Sequence, residues 1–211
     1  MTAFGDTGGA PVPPKKQVLI LNSYHEGFPW TDEQSASIQE TLSSKMPHLE
    51  FFIEYMDTKR IQTESYLQSL RQVFRLKYAG VKIDLIASTD DDALLFLLRF
   101  RDELFGKVPV VFCGVNDFQP EELQRAEGYT GIVQSIDALA TVELIERLHP
   151  ATKTIYLVSD GTTSGVGQRK EAAEELASKK TIRLVYLNGE DLTFAELLDR
   201  LKVIPEDAVV L

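Results

Sequence analysis

The stretch QVLILNSYHEGFPWTDEQ, Gln17 to Gln34, decides the fold. Its first six residues are an apolar run and its last four open a helix. The short connection between them carries Tyr24, His25, Phe28 and Trp30 together. An apolar run without polar alternation reads as a strand buried on both faces, and a helix directly after it reads as the first unit of a parallel β–α series. Large aromatics in so short a connection either close over the core or form a surface that receives something.

Working outward, the same pattern repeats. Further apolar runs are FFIEYM (51–56), KIDLIAS (82–88), VPVVFCGV (108–115), YTGIVQ (129–134), KTIYLVSD (153–160), IRLVYLN (182–188) and DAVVL (207–211). Helical spacing separates most of them, over 31–45, 63–78, 90–104, 120–125, 137–148, 167–179 and 193–201. In 63–78 the residues Tyr66, Leu67, Leu70, Val73, Phe74 and Tyr78 share one face. Thr31 to Gln34 and Thr193 to Glu196 fit the capping box. Ser88 or Thr89 suits the N-cap before Asp90-Asp91-Asp92, whose acidic side chains favour the positive end of a helix. Pro120 with Glu121-Glu122 has the same acidic first turn. The expected class is α/β, with parallel sheets covered by helices on both faces.

The series breaks after Gln134. This predicts a flexible Gly/Pro-rich leader over 1–16, an N-terminal α/β lobe over 17–134 and a C-terminal α/β lobe over 135–211. The second series is short and ends on DAVVL with no helix after it, so the second lobe is expected to be incomplete in this chain.

Composition removes several function classes. Of 211 residues, 44% are hydrophobic and 26% charged, and the formal net charge is −10. An acidic chain lacks the basic face that nucleic acid or anionic lipid requires. The single cysteine, Cys113, forms no intrachain disulfide and no multi-cysteine metal site. No apolar run reaches the ~18 residues of a spanning helix, and MTAFGDTGGAPVPPKK is not a signal peptide.

Catalytic signatures fail one after another. GTTSGVGQRK, 161–170, has the wrong glycine spacing for a phosphate loop and lacks its Lys-Ser/Thr pair. There is no GxGxxG after the first strand, no GxSxG elbow and no HExxH. Asn22-Ser23 stand where a response-regulator receiver would place paired acids. The expectation is a protein that is not an enzyme, without cofactor or metal.

In a parallel sheet the carboxyl ends of the strands open on one edge, and ligands bind there. Those ends here read Asn22-Ser23-Tyr24, Tyr55-Met56-Asp57, Ser88-Thr89-Asp90-Asp91 and Cys113-Gly114-Val115-Asn116-Asp117. The second series adds Ser159-Asp160-Gly161-Thr162 and Asn188-Gly189. With Phe28 and Trp30 they would form a cleft with polar walls and an aromatic platform for a small organic molecule. Plainer readings stand beside this one. Asp91 and Asp92 suit first-turn helix residues, and Trp30, preceding an N-cap at Thr31, suits a hydrophobic staple. His25 reads as a solvent-facing loop residue, His48 and His149 as structural, and Cys113 as a small buried hydrophobe.

LILNSYHEGFPWTDE, EYMDTKR, DLIASTDDDALLFL, PVVFCGVND and YTGIVQSIDALATVELIERLHPATKTIYLVSDGTTSG, taken in order, resemble the ligand-sensing extracytoplasmic domain of bacterial sensor proteins. Most of these are histidine kinases, and the group is related to ABC-transporter substrate-binding proteins. The resemblance implies a type I periplasmic-binding-protein fold with ligand held between two lobes. By position it places Tyr24, Phe28 and Trp30 on the cleft-facing first loop, Thr89 and Asp90 at the third strand end, Asn116 after the fourth, and Asp160 and Thr162 in the first loop of the second lobe. Asn22, Ser23 and Asp57 complete the expected ligand-binding set. The implied function is small-molecule sensing outside the cytoplasm, in a parent protein anchored to the membrane, with room for a homodimer. The ligand class is an amino acid or an aromatic or heterocyclic compound. The alternatives are a transporter-linked carrier and an enzyme using the cleft carboxylates. This stretch contains no kinase core, so signalling by the chain alone is not implied.

Overall fold

The computed structural model describes residues 15–116, 118 and 127–211. Most of the leader, the helix expected over 120–125 and Asp117 lie outside the described residues. The described elements are β1 (Lys16–Asn22), α1 (Pro29–Lys45), β2 (Leu49–Tyr55), α2 (Glu64–Lys77), β3 (Leu85–Thr89), α3 (Asp90–Leu104), β4 (Val110–Val115) and β5 (Tyr129–Val133). They continue with α4 (Ala138–Leu148), β6 (Thr154–Ser159), α5 (Thr163–Leu176), β7 (Arg183–Asn188), α6 (Phe194–Leu201) and β8 (Ala208–Val210).

The strands form two parallel sheets, ordered β2-β1-β3-β4-β5 and β7-β6-β8. Alternate residues of the central strands serve opposite faces of the first sheet. Leu19, Leu21, Ile86 and Val110 meet Phe74 of α2 and Phe96, Leu97 and Phe100 of α3. Val18, Ile20 and Ala87 meet Ile38 and Leu42 of α1 on the other face. Both faces being covered explains why β1 reads as an unbroken apolar run. The second core is smaller: Val142 of α4 and Ala172 and Leu176 of α5 close on Ile155 and Leu157. No helix among the described residues is long and apolar enough to cross a membrane.

Local signals set some helix starts and not others. Thr193 and Glu196 form the reciprocal capping box on α6. Thr31 does not cap α1. Pro29, whose fixed φ suits a first helical position, starts that helix two residues earlier, leaving Thr31 inside and buried. Trp30 is likewise within α1 and is not a staple ahead of it. At α3 the N-cap is Thr89, but its hydroxyl donates to Asn22 Oδ1 at 3.0 Å and caps nothing. Ser23 Oγ serves that turn instead, accepting from the Ala93 N–H at 2.8 Å.

Candidate functional site

The order β2-β1-β3-β4-β5 reverses direction between β1 and β3, and a parallel sheet opens its binding crevice at such a switch point. Asn22 and Thr89 are paired there at the two strand ends. Both are fully buried, as is Ser23. Asn22 Nδ2 donates to the Glu54 carbonyl at 3.2 Å, and Ser23 Oγ donates to the Thr89 carbonyl at 2.7 Å. The structure therefore uses Asn22, Ser23 and Thr89 to brace the crevice rather than to line it. Asp57, with φ of +53°, pairs with Arg60 at 3.3 Å and His25 Nδ1 at 3.5 Å and is not among the residues lining the cleft.

The wall itself begins with Asp90. Its φ of +64° is left-handed, a conformation that Asp adopts more readily than most residues and that is often kept at functional sites. Only 2% of the residue is exposed. Its Oδ1 accepts from the Trp30 indole N–H at 2.9 Å, while its buried Oδ2 receives no hydrogen bond. Burial pushes the carboxyl up to about 7, opposed by the Trp30 bond and assisted by the negative charge of Asp91. Gly114, with φ of +72°, makes space for this corner, since a Cβ there would lie 2.9 Å from Gln34 Nε2 and 3.0 Å from Asp90 Oδ1.

The aromatic connection forms the next wall. Tyr24 and Phe28 meet edge to face at 5.5 Å, and the Lys59 ammonium lies 4.6 Å from the Tyr24 ring centre and 5.8 Å from that of Phe28. Tyr24 is buried, and its hydroxyl is 2.6 Å from Ser164 Oγ in α5 of the other lobe. Burial and then the charge of Asp90 drive the phenol far above its ordinary range.

The second lobe arrives through the start of α5. Thr162 is its N-cap, and its hydroxyl accepts from the Gly165 N–H at 3.3 Å. Ser164 Oγ donates to Asp91 Oδ2 at 2.5 Å, and Asp91 also accepts from the Asn116 backbone and side-chain N–H groups at 2.8 and 3.0 Å. Asp92 accepts from Thr163 at 2.8 Å and from Gln62 at 3.0 Å. Asp91 and Asp92 thus face the positive end of α5 across the lobes, besides occupying the first turn of α3. Lys59 Nζ reaches Asp160 at 3.1 Å and Thr162 at 3.4 Å. Burial raises the Asp160 carboxyl, but the bonds from Thr162 and Lys59 outweigh it and hold the group below the usual range.

These groups enclose a cleft of about 400 Å³ lined by Tyr24, Phe28, Trp30, Asp90, Asn116 and Asp160, together with Lys59, Gln134, Ser164 and Gln168. That is within the size range of small-molecule sites. Thr162 stands behind it, bonded to Lys59. A neighbouring hollow of about 440 Å³ shares Asn116 and is walled by Gln62, Asp91 and Thr163 as well as by Leu94, Leu95 and Phe118. The sequence reading gave Lys59, Gln134, Ser164 and Gln168 no role. Lys59 was legible as the first cation after the β2 strand end. Ser164 was not, because α5 begins before the segment whose spacing announced it, and Gln168, inside that segment, carries no local mark of facing the cleft.

No protein-family model matches the chain, and no curated protein does. Solved structures do share its fold. A Streptococcus pneumonia ABC domain in complex with L-Trp is 18% identical, with a TM-score of 0.61 over 82% of this chain and 57% of that one. A solute binding protein of an ABC transporter from Rhodopseudomonas palustris BisB5, in complex with 3,4-dihydroxy benzoic acid, is 14% identical, with a TM-score of 0.63 over 93% and 54%. A leucine binding protein from Thermotoga maritima MSB8 is 16% identical, with a TM-score of 0.59 over 92% and 55%. The fold is that of the type I periplasmic-binding proteins. The chain spans a little over half the length of these neighbours.

Proposed function

We propose that the chain binds a small organic molecule between its two lobes, outside the cytoplasm, as the ligand-sensing part of a bacterial signal-transduction protein. It holds its ligand and does not transform it. The observation that carries this reading is the cleft at the β1–β3 switch point, where aromatic side chains of one lobe, the buried carboxylate of Asp90 and the start of α5 converge. The fold supports ligand binding, and the ordered motifs of the sequence support the sensing role. Ligand acts on such a receptor only through its differential affinity for the open and closed arrangements.

The neighbours that serve ABC transporters favour a second reading, a carrier that delivers its ligand. An output domain on the same polypeptide supports the sensor, and a stand-alone lipoprotein supports the carrier. The binding claim is tested by thermal shift against amino acids, small carboxylates, amines and purines, followed by recovery of the ligand. A compound that raises the melting temperature, is recovered unchanged and loses its effect in Trp30→Ala supports the reading. Turnover of that compound, abolished by Asp90→Ala with binding retained, establishes an enzyme instead.

A further inference from the structure

The charges around the cleft do not balance, and the imbalance selects a ligand class. Among the described residues lining it, the charged side chains are Lys59, Asp90 and Asp160. Lys59 and Asp160 hold each other at 3.1 Å. Asp90 is left over, with its Oδ2 buried and without a donor. On the neighbouring face of α1, the Thr31 hydroxyl and Gln34 Oε1 are also buried and without partners. A buried carboxylate oxygen lacking a donor is costly, because nothing replaces the water it lost. The cost is removed when a donor arrives from outside.

The rings beside it suit the same visitor. Tyr24 and Phe28 already hold one ammonium against their faces, that of Lys59, and aromatic faces attract cations through their quadrupole. Trp30, with 43% of its surface exposed, offers the cleft a flat apolar side while its N–H positions Asp90. A carboxylate-bearing ligand would meet the unpaired charge of Asp90 and find the wall's one described cation already engaged.

We propose that the ligand carries a protonated nitrogen that docks on the Asp90 carboxylate, with a flat ring against Trp30, and that the site prefers an amine to a carboxylate on the same ring. This rests on the reading of the cleft as the ligand site. The groups facing Asp90 are Trp30 from α1, Tyr24 and Lys59 from the loops after β1 and β2, Asp91 and Asp92 from α3, and Cys113 from β4. Asp90 titrates at about 7 in the empty protein, so a cation that needs the ionised form binds more tightly as pH rises through that value.

The test uses tryptamine and indole-3-acetate, which share a ring and differ in charge, with calorimetry on the wild type and on Asp90→Asn. Asparagine tolerates the left-handed backbone as aspartate does and keeps an acceptor for Trp30. At about pH 8 the wild type is expected to bind tryptamine at least tenfold more tightly than indole-3-acetate. Asp90→Asn should erase that preference. With no variant at all, tryptamine affinity should fall about tenfold between pH 8 and pH 6. An equal or reversed preference, a preference that survives in Asp90→Asn, or a pH-independent tryptamine affinity overturns the inference while leaving the cleft as a binding site. Binding of neither probe overturns the inference together with the reading of the cleft.

Discussion

Asp90 keeps its place against two penalties, a left-handed backbone and a carboxyl withheld from water, and both have measurable consequences. Its folded-state value of about 7 lies above the ~3.9 of an unfolded aspartate. The folded protein therefore binds the extra proton, and its stability falls as pH rises from about 4 to about 7. In Asp90→Asn this loss disappears. The variant should match the wild type near pH 4 and exceed it above pH 7, by up to ~4 kcal/mol from the linkage relation. Urea melts across pH check this, and parallel curves at all pH values would contradict it. Trp30→Ala tests the partner. It removes one donor from Asp90 and the flat side of the cleft, so ligand affinity should fall at least tenfold, ~1.4 kcal/mol. Ligand-free stability should fall by only ~1 kcal/mol, as expected for a half-exposed side chain. A large stability loss with intact affinity would assign Trp30 to helix packing alone.

At the scale of elements, α3 and α5 are joined start to start across the lobes, and Ser164 is the joint. Its hydroxyl serves both Tyr24 and Asp91. Ser164→Ala leaves a buried phenol and weakens the support of a buried carboxylate, which costs ~1–3 kcal/mol. Tyr24→Phe removes the phenol that would be stranded, so the double variant should lose less than the sum of the singles. Thermal melts of the four proteins close that cycle, and strict additivity would mean the two hydroxyls do not communicate. This joint was also where the sequence was hardest to read. The strand–helix alternation and the Thr193 cap are local patterns, carried by residues one to four apart, and they were legible, whereas the meeting of β1 and β3 at the crevice joins residues as far apart as Asn22 and Thr89. The Asp91–Ser164 pair spans 73 positions and leaves no local trace, so Asp91 read as a strand-end or first-turn acid and not as a partner of the second lobe. Thr31 misled for the opposite reason, since a perfect local box was overruled by Pro29 and by burial of the helix face. Asn22, Ser23 and Thr89 read as ligand contacts because strand-end polarity does not reveal whether a group faces the cleft or its neighbour strand.

For the whole molecule, the two lobes differ in how firmly they are built. The first has a five-stranded sheet with helices packed on both faces, and the second a three-stranded one. In the second, α6 buries none of its residues and leaves Phe194 and Leu198 exposed. Regions with few buried apolar contacts open locally at lower free energy than the core. Amide exchange in the ligand-free protein should therefore be faster in β6, β7 and α6 than in β1 and β3. A ligand that bridges the lobes changes this by mass action, adding ~2.7 kcal/mol at a hundredfold excess over its dissociation constant. Because the ligand touches both lobes, opening of either one releases it. Protection should therefore rise in β6 and α5 as well as around Trp30 and Asp90, and the larger relative gain should fall in the weaker lobe. Protection confined to the first lobe would mean that ligand binds one wall of the cleft without drawing the other onto it. A receptor built that way has no means of converting occupancy into closure.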